Sequence, residues 1–211
     1  MRSILPLLLV MAVTSASSAS AQRRTIPIAD ARRLPLGEVV TVEGSVSVAS
    51  GIIDAGFAVQ EGSGGIYVDA DSSTRVTAFQ LVRVTGRLVT SHGLLRIAPT
   101  AIEALPRIGD VTQLVWQTAT GSVGEATEGR LIFVEGKITG EIVDDRPYGW
   151  KMTIDDGSGP LLVFISVGAR IDIGRFRAGQ RLRVSGFSGQ YDNHHEIHPR
   201  SEQDVEIIAG S

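Results

Sequence analysis

Val40-Thr41-Val42-Glu43-Gly44-Ser45-Val46-Ser47-Val48 places an apolar residue or glycine at every second position. A period of two, carried by β-branched residues, is the pattern of a strand with one buried and one wetted face. Gly44 occupies a buried-side position in mid-strand, where glycine marks a bulge or a sharp bend at a barrel corner. Val134-Glu135-Gly136 repeats the centre of this stretch, so the strand is written twice.

Working outward, three further matches keep the same order. Gly62-Ser63-Gly64 recurs as Gly157-Ser158-Gly159, Arg83-Val84-Thr85-Gly86 as Arg183-Val184-Ser185-Gly186, and Ile97-Ala98-Pro99 as Ile197-His198-Pro199. The offset widens along the chain, as it does in a duplicated domain with longer loops in its second copy. The expected organisation is a signal peptide over 1–21, a first domain over 22–105, a connector over 106–124 and a second domain over 125–211. Each copy holds five short strands broken by Gly, Asp and Ser. In the first they run over 40–48, 57–60, 66–69, 81–90 and 94–98. In the second they run over 130–139, 150–155, 161–166, 181–187 and 195–198. Gly-Ser-Gly marks the hairpin between the second and third strands.

Five strands, a bent first strand and a short connector before the fourth describe an OB-type Greek-key barrel, so the chain reads as all-β with two such barrels in tandem. Ile28-Ala29-Asp30-Ala31-Arg32, Leu36-Gly37-Glu38-Val39-Val40-Thr41-Val42-Glu43-Gly44 and Phe57-Ala58-Val59-Gln60-Glu61-Gly62-Ser63-Gly64-Gly65-Ile66-Tyr67-Val68 carry a resemblance. They resemble the OB-fold (oligonucleotide/oligosaccharide-binding) modules of exported bacterial proteins, including some attached to secreted nucleases. The resemblance implies the fold and a binding role. Such barrels take single strands, oligosaccharides, proteins or small ligands. The nuclease relatives carry their catalytic residues in a separate domain that has no counterpart here.

The N-terminus has Arg2, the apolar run Ile4 to Val13 and the small-residue stretch Ala19-Ser20-Ala21, the layout of a secretory signal peptide. The run is far shorter than the roughly 20 residues a membrane span needs. The expected product is soluble and periplasmic or secreted. With no cysteine, disulfides, thiol chemistry and cysteine metal sites are excluded. A net charge of −3 excludes a strongly basic nucleic-acid footprint.

No Gly-x-Ser-x-Gly elbow, phosphate-cradling loop or zinc-protease helix is present, so no catalysis and no cofactor are expected. The acidic pairs near Asp54, Asp144 and Asp155 lie beside glycine in turns, where Asp bonds its own backbone. Asn193-His194-His195-Glu196-Ile197-His198 holds three of the four histidines. Alternation places His194, Glu196 and His198 on one outer face, about 6.5 Å apart stepwise, which is wide for shared metal ligation. Single-strand binding calls for stacking rings and cations. The candidates are Tyr67, Arg83, Arg87 and His92 in the first copy, and Tyr148, Lys151, Arg183, Tyr191 and His194 in the second. Phe57 and Trp150 read as core, and Phe133 as an outer-face platform or inter-domain contact. The partner stays open between single-stranded DNA or RNA and a protein or glycan of the cell envelope. The Trp116 connector is expected to pack against one or both barrels.

Overall fold

The computed structural model describes residues 24–106 and 112–208. The expected signal peptide and Val111 of the connector lie outside the described residues.

The first barrel is built from β1 (Val39–Val48), β2 (Phe57–Glu61), β3 (Gly64–Val68), β4 (Leu81–Ser91) and β5 (Leu94–Ala104), closed in the order β1-β2-β3-β5-β4. One helical turn, α1 (Ile28–Ala31), precedes it and buries Ile28 and Ala31 in its core. The connector contributes β6 (Trp116–Gln117). The second barrel follows with β7 (Leu131–Ile138), β8 (Val143–Asp145), β9 (Gly149–Asp155), β10 (Leu161–Ser166), β11 (Arg181–Tyr191), β12 (His194–His198) and β13 (Val205–Ile208). Pairing of β11 with β7 closes β7-β9-β10-β12-β11 into the second ring.

The duplicated glycines do what their position requires. A Cβ on Gly44 would stand 2.8 Å from the Gln60 carbonyl oxygen, and one on Gly136 3.0 Å from the Asp155 nitrogen. Each lets its bent first strand cross closely over the second.

Several strands run further than expected. The fifth strand was expected over 94–98, yet β5 continues through Pro99 to Ala104, because Pro99 sits opposite Gly86 where the β4–β5 register shifts. A bulge is one of the few sheet positions that tolerates proline. In the second copy Pro199 does end β12, and the chain resumes as β13 after a turn at Glu202–Asp204. The short β6, β8 and β13 had no period long enough to be read from sequence.

Each barrel has its own apolar core, and a third cluster joins them. It sets Val48, Ala58, Tyr67 and Leu94 of the first barrel against Leu131 and Phe187 of the second. Backbones meet directly at Gly65 and Gly129, where a Cβ on either would overlap the other's carbonyl. Polar contacts lace the rim. The Leu131 N–H donates to Gln60 Oε1 at 2.7 Å, Arg130 to the Ser63 carbonyl at 2.6 Å, and Arg32 pairs with the buried Glu128 at 2.9 Å.

The connector is fixed mostly through polar groups. Gln113 donates to the Val46 carbonyl at 2.6 Å and Gln60 to the Leu114 carbonyl at 2.7 Å. Of its described apolar residues Leu114, Val115 and Trp116, Trp116 packs, as β6 beside β7 with the Arg130 guanidinium 4.6 Å above its ring. Leu114 and Val115 stay exposed.

Candidate nucleic-acid interface

Tyr67 is 1% exposed, which corrects its expected role as a stacking platform. Alternation is right, since Ile66 and Val68 face the first core while Tyr67 faces outward. The second barrel covers that outer face. Phe187 meets the Tyr67 ring edge-on at 5.7 Å, Arg96 lies 4.8 Å over it, and its hydroxyl donates to Asp54. Burial, then the Asp54 charge, push the phenol far above its ordinary range. The β2–β3 face, the ligand side of an OB barrel, is therefore consumed by docking in the first copy.

Arg83 and Arg183 occupy equivalent places and have equivalent partners. Arg83 donates to Glu43 at 2.7 Å and Glu103 at 3.0 Å. Arg183 donates to Glu135 at 2.7 Å and reaches Glu206 at 3.5 Å. The Arg183 hydrogen bond holds the Glu135 carboxyl below the usual range. These are cross-strand ion clusters on the outer faces of β1-β4-β5 and β7-β11-β13; the first has one excess carboxylate, and in the second Arg181, 3.2 Å from Glu135, balances the charge. Arg87, also on β4, is exposed and donates to the Gly37 carbonyl. All three lie away from the remaining candidates.

Tyr148, Lys151, Tyr191, His194 and His92 lie around the β9-β10-β12 face of the second barrel. Lys151 stands opposite Phe164, and Thr153 opposite Leu162, which in turn stands opposite Glu196. Tyr148, 70% exposed, precedes β9 at one end. Tyr191, 48% exposed, closes the β11–β12 hairpin at the other, paired with His194. About six residues of strand, or roughly 20 Å, separate the two ends.

The first barrel supplies His92 from the tip of its β4–β5 hairpin. Gly93 bridges Tyr191, and the His92 ring stacks on Tyr191 at 4.5 Å with planes 8° apart. His92 Nδ1 lies 2.9 Å from Asp192 Oδ1, and the Asp192 N–H donates to the His92 carbonyl at 2.6 Å. The two hairpin tips thus form one exposed ring cluster, His92–Tyr191–His194, with His194 and Tyr191 centred 6.0 Å apart.

Behind it, Glu196 and His198 are buried, although their strand face was expected to be open. Phe164 and Phe187 pack against the His198 ring at 5.7 and 6.1 Å. His198 Nε2 is 3.1 Å from one Glu196 oxygen, and His194 Nε2 is 3.6 Å from the other. Burial alone would raise the Glu196 carboxyl, but the His198 hydrogen bond and the charges of His198 and His194 outweigh it, leaving the carboxyl lowered. The imidazoles approach different oxygens, and no metal-binding group of three His, Asp or Glu occurs among the described residues.

Phe164 was missed from sequence. Its signal was available, because Val163 and Ile165 point into the core and alternation puts Phe164 outside. Phe57 is core as expected, whereas Trp150 is only half-buried at the core's margin, with Arg146 above it at 5.9 Å. Phe133 is half-buried beside β6. Basic side chains near the open face are neutralised: Lys151 by Asp145 at 3.0 Å and Arg146 by Asp144.

No protein-family model and no curated protein matches this chain. Among solved structures, the hypothetical protein ygiW from E. coli is similar over 39% of this chain and 91% of its own, with 20% identity and a TM-score of 0.34. A murine DNA binding protein bound with ds DNA covers 81% of this chain and 97% of its own, with 9% identity and a TM-score of 0.39. The Ifi202 HINa domain in complex with 20bp dsDNA covers 83% and 97%, with 15% identity and a TM-score of 0.40.

Proposed function

We propose that this chain is an exported, non-catalytic binding module that takes single-stranded nucleic acid on the open β9-β10-β12 face of its second barrel. One observation carries the reading. Docking buries the equivalent face of the first barrel at Tyr67, whereas in the second barrel Lys151, Thr153, Leu162 and Phe164 of β9 and β10 stay partly exposed, with exposed rings at both ends. Base stacking on aromatic rings tolerates any sequence and contributes about 1–3 kcal/mol per base. With nearby cations already paired, stacking on Tyr148 and Tyr191 supplies most of the affinity at neutral pH. The Arg83 and Arg183 faces take no part, since their guanidinium groups are committed to carboxylates.

Fluorescence anisotropy with labelled single-stranded DNA and RNA tests this on the protein lacking residues 1–21. Tyr148→Ala and Tyr191→Ala should each weaken binding by about 1–3 kcal/mol, the first leaving the unfolding temperature unchanged and the second lowering it slightly through loss of the His92 stack. Absence of binding at low salt and micromolar protein removes the reading. The neutralised cations favour the second reading, a protein or glycan of the cell envelope held by the same rings. An oligosaccharide array would register that partner when oligonucleotides do not bind.

A further inference from the structure

Resting on the reading of the second-barrel face as a single-strand site, we infer that the His92–Tyr191–His194 cluster is a phosphate-binding subsite that becomes cationic only in mildly acidic conditions. A strand lying across β9-β10-β12 brings its phosphates to both ends of the face. At the Tyr148 end the nearby cations, Lys151 and Arg146, are held by Asp145 and Asp144. At the seam end the basic groups are imidazoles, which are the side chains that change charge between about pH 5 and 8.

The groups facing them fix the sign. His92 faces Asp192 and the Tyr191 ring. His194 faces Glu196 and Tyr191, while His198 faces Glu196, Phe164 and Phe187. His195 is half-buried near Gly124. With the imidazoles neutral, Asp192 and Glu196 leave this end negative and repel phosphate. With His92 and His194 protonated, their two charges offset Asp192 and Glu196 and lift the repulsion, and a proton on the buried His198 behind them makes the end net positive. His92 and His194 are exposed, so the added charge is presented to solvent beside the Tyr191 ring.

The test uses a labelled oligothymidylate of about 12 nucleotides, within the range one OB barrel covers. Thymine does not take up a proton in this pH range, so any gain belongs to the protein. Anisotropy is read at pH 8.0 and 5.5 at several salt concentrations, with the unfolding midpoint recorded at both values. The expected result is at least tenfold tighter binding at the lower pH, with the salt slope steeper by about 0.7 for each phosphate engaged. The double variant His92→Gln, His194→Gln should bind with the same affinity at pH 5.5 as at pH 8.0, whatever its affinity at pH 8.0 relative to the parent. Equal affinity of the parent at both pH values, or an acid gain that survives in the double variant, overturns the subsite and leaves the binding face standing. No binding at either pH overturns both.

Discussion

Tyr67 shows what a strand's period fixes and what it leaves open. It was a reasonable stacking candidate, because its strand's period points it away from the first core, and that direction is correct. What a period of two cannot reveal is which surface a neighbouring domain will cover. Tyr67→Ala should cost about 3–5 kcal/mol in urea unfolding, as large buried aromatics do. Tyr67→Phe should cost about 1 kcal/mol through loss of the hydroxyl's bond to Asp54, which retains access to water. The phenol also gives the stability a pH dependence. Its folded-state value is raised, so its contribution is complete below the ordinary value of 10.0 and is lost as pH climbs above it. Chemical denaturation between pH 8 and 11 should show stability falling above about pH 10, and in Tyr67→Phe that fall should be smaller.

Among elements, the two copies act as controls for each other. Thr77-Ala78-Phe79-Gln80 and Arg177-Ala178-Gly179-Gln180 make the same turn. The Phe79 N–H donates to the Val46 carbonyl at 2.9 Å, and the Gly179 N–H donates to the Ile138 carbonyl at 2.9 Å. Both residues have positive φ, 67° and 88°. Gly179 adopts that conformation freely, whereas Phe79 is strained there and leaves its ring 44% exposed. Phe79→Gly should therefore leave stability unchanged or raise it by up to about 1 kcal/mol, while Gly179→Phe should lower it by about 1–2 kcal/mol. A loss above about 2 kcal/mol for Phe79→Gly would mean that the ring packs against something essential. The duplication, the five strands of each copy and the mid-strand glycines were legible because each has a local signature. The bulge at Pro99 and the short β6, β8 and β13 were not, because they depend on the strands beside them.

The seam joins the two barrels into one unit in which the first barrel's face at Tyr67 is covered. Gly65 and Gly129 touch backbone to backbone, so Gly129→Val should force the barrels apart. Calorimetry of the parent protein should give one transition, and of Gly129→Val two. Five of the nine sequence candidates, His92, Tyr148, Lys151, Tyr191 and His194, surround the open face. Their types and loop positions were readable, but their convergence was not, since His92 reaches the cluster only through docking. The most direct test of the account is amide chemical-shift mapping with a single-stranded oligonucleotide titrated into isotope-labelled protein. Shifts should concentrate at residues 148–153, 162–164 and 191–196 and at His92, with β2, β3 and the Arg83 and Arg183 strands quiet. Shifts centred on the Arg83 or Arg183 clusters, or none at saturating oligonucleotide, would contradict the account.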